Sequence, residues 1–438
     1  MSAAPDNGLS CCAIGSGTPL LGPDAVRRIC IGLITEEQKR LRQARRISAK
    51  QTIAIRDPDL TPAGADALLI DENTMGFDSL SLLDLILAIN RFFGLDRTGV
   101  EDYLFVQRQL GDWVALIGKH LEMTGEAQEF AFRTSGSTGR PKTIVHGIGS
   151  LRDECAAQIA GPFAQIGHPH RVISAVPAHH IYGFLFSCAL PHLIDCPVID
   201  CVDLSPTSIM RHAQPGDLII GTPWNWQHIA QLERQFPQQV MGVVSAGPSD
   251  QTLWHATRSL GLSALIEIYG ASETGGIGWR ADPTHPFTLL RHLQRGGRGI
   301  LRSDCDEVLP VQDRLQWREG SCFTLAGRVD DIVQVGGVNV SPAHVRAIAL
   351  SVDGVVDAAI RLDRDRLKAF IVVENTLRSD HEDMETQLRD TFAARLAAPA
   401  RPQSIRFGPE MPRNAMGKLS DWSDDPPLEM NRAPVNSK

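Results

Sequence analysis

The chain has 438 residues, 43% of them hydrophobic and 21% charged, which is the balance of a soluble globular protein long enough for two or three domains. Its formal net charge of −8 excludes a broad electrostatic footprint for nucleic acid or an anionic membrane. Nine cysteines without a Cys-x-x-Cys pair or Cys/His metal spacing, and no run of eighteen apolar residues, predict a reduced, cytoplasmic protein without a membrane span.

Residues 1–70 carry weak periodicity. A helix is expected near Thr35–Ala49, and no chemical task follows from the segment. The basic run Lys39-Arg40-Leu-Arg42-Gln-Ala-Arg45-Arg46 reads as the wet face of that helix. Further on, Gly76-Phe-Asp78-Ser79-Leu80 precedes apolar residues at Leu82, Leu85, Ile86, Ile89, Phe92 and Phe93. That i, i+3, i+4, i+7 stripe predicts an amphipathic helix capped by Asp78 or Ser79, with a second helix at Leu110–His120.

Residues 133–142, Arg-Thr-Ser-Gly-Ser-Thr-Gly-Arg-Pro-Lys, concentrate small donors beside positive charge. Gly136 and Gly139 let successive N–H groups converge on one anion, Thr134, Ser135, Ser137 and Thr138 add hydroxyl donors, and Lys142 supplies a point charge, so the stretch reads as a nucleotide-phosphate loop. A Walker A pattern is absent, because Lys142 lies three residues after its glycine with a proline between. The bland alternative is a Gly/Ser tether. Strand-like flanks at Phe130-Ala131-Phe132 and Thr143-Ile144-Val145-His146 favour a hairpin loop instead.

From 130 to 328, apolar runs at Arg171–Val176, Asp217–Gly221, Gln239–Ser245 and Ala264–Tyr269 alternate with helical stretches, which predicts a layered α/β sheet. Past Asp330 the pattern becomes a small α+β unit: a helix at Ala343–Leu350, strands near Val355–Leu362 and Leu367–Val373, and a helix at Asp383–Leu396. The tail from Asp424 has the composition of a frayed end. The expected domains are an N-terminal region 1–125 with carrier-like helices at about 76–120, a nucleotide-binding core 126–329, a C-terminal lid 330–423 and a tail 424–438.

Four segments in order carry a family resemblance. Thr134–Lys142 resembles the phosphate loop of the adenylate-forming superfamily of acyl-CoA synthetases, aryl-CoA ligases and peptide-synthetase adenylation domains. Tyr269-Gly-Ala-Ser-Glu273 resembles its Tyr-Gly-x-Thr-Glu segment, with serine at Ser272 for the usual threonine. Gly327-Arg-Val-Asp-Asp331 with Val335-Gly-Gly337 resembles its hinge, and Pro412–Lys418 its C-terminal lysine loop. The resemblance spans about residues 130–420 and implies a large α/β domain joined at a hinge to a small lid.

It also implies a chemistry: a carboxylic acid and ATP give an acyl-adenylate, and a phosphopantetheine thiol of coenzyme A or an acyl carrier protein then takes the acyl group. Two anions must meet, so the site needs cations, Mg²⁺ and aimed donors. By this resemblance Lys418 reaches carboxylate and α-phosphate, Glu273 holds Mg²⁺, Tyr269 stacks on adenine, and Gly247 and Gly270 edge that pocket. Asp313 takes the ribose hydroxyls with Arg328 beside it, although the family's preceding Thr-Gly is missing, and Gln334 stands where a lysine is usual. Asp330 is the hinge, with Asp331 as the neighbouring alternative.

In Pro177-Ala-His179-His180-Ile-Tyr182-Gly-Phe184 there is no aspartate to pair an α-ammonium, which favours an aryl or fatty acid. His180 matches the family's gate, and His179, Tyr182 and Trp224 are the expected pocket residues, with a satisfied core histidine as the other reading of His179. Asp78-Ser79-Leu80 is similar to the carrier-protein segment whose serine receives phosphopantetheine, but a first carrier helix is missing upstream. Modification of Ser79, a degenerate carrier-like scaffold and a plain helix start therefore all stay open. Two rivals accompany the ligase reading: a non-catalytic interaction scaffold on a decayed ligase, and a phosphate-loop hydrolase.

Overall fold

The computed structural model describes residues 17–43, 61–134, 142–296, 299–303, 305, 307–328, 333–335, 338–363, 366–374, 381–414, 417 and 419–422. They form two compact units, the first drawn from residues 1–311, 315–325 and 415–417, the second from 312–314, 326–414 and 418–438.

In the first unit β1 (Glu129–Thr134) and β2 (Lys142–Gly147) make an antiparallel hairpin whose register pairs Thr134 with Lys142. The main sheet collects β3 (Arg171–Ser174), β4 (Val198–Asp200), β5 (Asp217–Gly221), β6 (Met241–Val244), β7 (Ala264–Ala271), β8 (Gly275–Arg280) and β9 (Phe287–Leu289). After a small hairpin of β10 (Leu293–Gly296) and β11 (Gly299–Arg302) come β12 (Asp313–Trp317) and β13 (Cys322–Arg328). The sheet order is β12-β13-β9-β8-β7-β6-β5-β3-β4. Strands β4, β3, β5, β6 and β7 run parallel, and β8 reverses against β7.

Period-two alternation divides the parallel strands between two apolar cores. Val172, Leu218, Ile220, Met241, Val243 and Ile266 point to one, whereas Ile173, Ile219, Val244 and Leu265 point to the other. Helices Pro23–Gln43, Ser79–Phe93 and Leu110–Thr124 cover the first face through Ile29, Leu85 and Ile117. Helices Pro206–His212, Pro223–Ala230 and Gln251–Ser259 cover the second through Ile209, Trp226 and Trp254. Burial on both faces explains why these strands read as unbroken apolar runs.

The N-terminal helix runs over Pro23–Gln43, not Thr35–Ala49, and residues 44–49 lie outside the described residues. Its buried arc is wide, taking in Ala25, Val26, Ile29, Cys30, Ile31, Leu33 and Ile34, so the one-sided stripe that marks a surface helix is missing. Lys39 and Arg40 do face water and pair with Asp203, Glu37 and Asp84. In helix Ser79–Phe93 the cap is Asp78, whose Oδ1 accepts the Ser81 N–H at 2.8 Å. Helix Leu110–Thr124 extends one turn past its expected end. The apolar faces of both carrier-like helices enter the same core as the sheet.

The second unit is α+β. It holds a hairpin of β14 (Val333–Val335) and β15 (Val338–Val340), and a three-stranded sheet of β16 (Val355–Asp363), β17 (Arg366–Val373) and β18 (Ser404–Gly408). Helices Pro342–Ala349 and His381–Arg395 pack Val345, Ile348, Leu388 and Phe392 into one core with Ala369 and Ile371. Among the described residues no helix is long and apolar enough to cross a membrane. Cys30, Cys155, Cys188, Cys196 and Cys201 are free and buried.

Candidate active site

In open α/β sheets, ligands bind beyond the carboxyl ends of the parallel strands. Here β3 leads into Pro177–His180, β5 into Thr222 and helix Pro223–Ala230, β6 into Ser245-Ala246-Gly247, and β7 into the Ser272–Thr274 turn. Side-chain hydrogen bonds link these ends. Buried Tyr182 directs its hydroxyl at the carbonyls of Gly221 and Val243, 3.1 Å from each, which joins the β3 loop to β5 and β6. Burial pushes that phenol well above its ordinary pKa, so it stays a donor. Ser245 Oγ donates to Ile268 O at 2.8 Å and joins β6 to β7.

The hairpin of β1 and β2 is tied to the same edge. His146 of β2 is buried and lies with Nε2 2.7 Å from Ser272 O, so Nε2 carries the hydrogen. Burial lowers its pKa, in keeping with a neutral ring. Thr134 and Lys142 end the paired strands, and Lys142 is exposed. Ser135, Gly136, Ser137, Thr138 and Gly139 lie outside the described residues, as do the hinge candidate Asp330 and the catalytic candidate Lys418.

Glu36, on the N-terminal helix, reaches the loop that follows β3. Its Oε2 lies 2.9 Å from Nε2 of His179, and this hydrogen bond holds the Glu36 carboxyl well below the usual range, with His180 and Arg133 adding to the effect. His179 is thus seated on helix Pro23–Gln43: its Nδ1 is buried without a partner, and a Cβ on Gly32 would stand 2.5 Å from it. His180 is half-buried, immediately precedes helix Ile181–Phe184 and stacks at a tilt on His179, ring centres 4.6 Å apart. Tyr182 commits its hydroxyl to the sheet and sets its ring edgewise on Phe186.

Trp224 occupies the first turn of helix Pro223–Ala230, half-buried, with its ring 4.2 Å from that of His228. A capping box of Thr222 and Asn225 starts this helix. Gly417, part of the first unit, sits so near that a Cβ there would fall 2.9 Å from Trp224 Cβ. Gly247 is exposed beside Pro223, and Ala246 before it holds a left-handed φ of 73°, a strain that residues other than glycine rarely carry.

Tyr269 is half-buried, its ring 5.7 Å from Phe287 and 5.8 Å from Phe323, and a register shift separates it from Gly270. A Cβ on Gly270 would lie 2.3 Å from Gly275 O, so only glycine fits that crossing. Ser272 and Glu273 are half-buried in the turn, and Thr274 Oγ1 bonds back to Gly275 O at 2.9 Å. Asp313 opens β12, half-buried, and Arg328 closes the neighbouring β13. Exposed Ser79 begins its helix.

Among the described residues no three His, Cys, Asp or Glu side chains gather to hold a metal. A lone carboxylate such as Glu273 suits Mg²⁺, which keeps waters and binds through one or two carboxylates plus substrate phosphates. Glu36, His146 and Glu154 border this site without having been singled out in the sequence. Each reaches it from a distant segment, and no local pattern marks any of them.

Residues 130–296 match the family described as AMP-binding enzyme. The 4-coumarate–CoA ligase of Cereibacter sphaeroides is 42% identical over 403 residues, covering 92% of this chain and 97% of that protein. The 4-coumarate–CoA ligase of Rhodobacter capsulatus is 43% identical over 401 residues, covering 91% and 100%. Among solved structures, O-succinylbenzoate coenzyme A synthetase from Bacillus subtilis in complex with ATP and magnesium ion aligns over 66% of this chain and 68% of that one, at 18% identity and a TM-score of 0.47. With identity above two fifths sustained over nearly the whole length of both relatives, the chain belongs to the adenylate-forming acid–CoA ligases of the AMP-binding enzyme family.

Proposed function

We propose that this ligase, which uses ATP, Mg²⁺ and coenzyme A, takes 4-coumarate or a closely similar planar aryl acid as its substrate. The observation that carries the reading is the 42% and 43% identity to two proteins named for that acid. Coenzyme A is preferred to a carrier protein as acceptor, because those relatives are named CoA ligases and the carrier-like helices spend their apolar faces on the unit's own core. A cytoplasmic site of action, in keeping with the buried free thiols, is part of the same reading.

A carboxylate oxygen attacks the α-phosphorus and the bond to pyrophosphate breaks; the coenzyme A sulfur then attacks the acyl carbonyl, AMP leaves and the thiol proton passes to solvent. Lys418 draws the two anions together, while Thr134, Ser135, Gly136, Ser137, Thr138, Gly139 and Lys142 hold the phosphates. Mg²⁺ on Glu273 would neutralise phosphate charge. Tyr269 stacks on adenine against the Gly247, Gly270 and Ser272 backbone, and Asp313 with Arg328 holds the ribose. His180 gates the acid pocket walled by His179, Tyr182 and Trp224, and Asp330 is the pivot for the second step.

The test is exchange of labelled pyrophosphate into ATP. It should depend on 4-coumarate and fall about 10²-fold or more in Lys418→Ala, and a thioester should form only when coenzyme A is supplied. Exchange with aliphatic acids but not aryl acids, or thioester formation on a carrier protein alone, would overturn the assignment.

A further inference from the structure

Glu154 lies in helix Ile148–Gln158, directly after the phosphate-loop hairpin, and is buried to 3% exposure. Its Oε1 accepts the Gly276 N–H at 2.7 Å, across 122 residues of sequence. The carboxylate fills the space that side chains on two successive glycines would need. A Cβ on Gly275 would stand 2.2 Å from Oε2, and one on Gly276 would stand 2.5 Å from Oε1. Gly275 also holds a left-handed φ of 72°. Carboxylate and glycine pair are therefore a matched knob and socket, and the socket begins two residues after Glu273. Arg302 on β11 acts on the carboxyl electrostatically, and Cys155 is its buried neighbour on the same helix.

A buried carboxylate is costly, so it needs compensating bonds, and Oε1 takes one from the backbone amide of Gly276. The turn it abuts runs Ser272-Glu273-Thr274, and His146 grips the same turn at Ser272 O from the other side. We infer that Glu154 is a positioning residue for the metal–nucleotide site: by seating Gly275 and Gly276 it fixes the direction in which Glu273 presents its carboxylate. This rests on the reading of Glu273 as the Mg²⁺ ligand. Partners standing behind a ligand in this way typically change metal affinity 10–100-fold when removed.

Thermal unfolding with ATP, without any acid, tests the inference, because a ligand that binds only the folded state stabilises it by RT ln(1 + L/Kd), L being the free ligand concentration, and so raises Tm according to its affinity. Mg²⁺ is titrated against a fixed ATP concentration in wild type, Glu154→Ala, Glu154→Gln, Gly276→Ala and Glu273→Gln. The expected result is that Glu154→Ala and Gly276→Ala need about tenfold more Mg²⁺ for half of the metal-dependent rise. Their response to ATP in EDTA should match wild type, and Glu154→Gln, which still offers an oxygen to Gly276 N–H, should stay within about twofold. A lower Tm in Glu154→Ala with an unchanged Mg²⁺ requirement makes the carboxyl purely structural and overturns the proposal, provided Glu273→Gln does shift the requirement. If Glu273→Gln is also silent, the metal role of Glu273 falls and the proposal with it. Should Glu154→Ala not fold, Glu154→Asp, which withdraws the carboxylate by one methylene, takes its place with the same two outcomes.

Discussion

The carboxyl of Glu154 makes the sharpest demand on solution conditions. Burial pushes its pKa from 4.5 up to about 7, only partly opposed by the Gly276 hydrogen bond. Its folded pKa is thus raised above the unfolded one, so the folded state binds the proton more tightly. Its contribution to stability is present below pH 4.5 and is lost as the pH climbs through 7. The span corresponds to about 3 kcal/mol at 1.36 kcal/mol per unit. Glu154→Gln cannot ionise, so in pH-dependent denaturation it should be more stable than wild type at pH 8 and about equal to it near pH 4.5. Equal stability of the two proteins at pH 8 would show that the carboxyl is not held protonated by burial. The residue was invisible in sequence because a single glutamate in a polar-looking helical stretch has no signature, and its partner stands 122 residues away.

At the scale of elements, local chemistry was legible wherever a segment's own pattern decides its form. The stripe from Leu82 to Phe93 gave the helix with Asp78 or Ser79 as its cap, of which the structure uses Asp78, and the strand-like flanks of residues 133–142 gave the β1–β2 hairpin. Helix Pro23–Gln43 starts upstream of the helix expected near Thr35–Ala49, because tertiary burial around most of its girth removes the amphipathic signal. Helix Pro223–Ala230 offers a direct test of an element that carries a site residue. Thr222 Oγ1 accepts the Asn225 N–H, and the Asn225 side chain answers at the Thr222 N–H at 2.8 Å. Thr222→Ala should cost about 1 kcal/mol, the usual worth of an N-cap, read as a lower denaturant midpoint with an unchanged slope. No loss would mean that Pro223 and tertiary packing alone start the helix.

At the scale of the molecule, the first unit is a sheet buried on both faces, so its stability should concentrate where a large side chain bridges helix and strand. Trp226 is fully buried, stacks at a tilt on Phe236 and donates its indole N–H to Val243 O at 3.1 Å. Trp226→Ala should cost about 3–5 kcal/mol, and equilibrium unfolding would detect it. A loss below about 1 kcal/mol would be incompatible with a rigid core at that position. The same carbonyl accepts from Tyr182, so core and site edge share one anchor and the variant should also weaken acid-dependent exchange.

What the amino-acid sequence determined by itself is what contiguous runs hold: the hairpin of β1 and β2, the alternation of strands and helices, and the motifs that mark the ligase family. Such features survive in one dimension because each needs only neighbours a few residues apart. The tertiary structure alone decided that Glu36, His146 and Glu154 stand around the site, that His179 is fastened to the N-terminal helix, and that this helix covers the face of the sheet. Those contacts join residues more than a hundred positions apart, and only the closing of the sheet and its helices brings their side chains within hydrogen-bond reach.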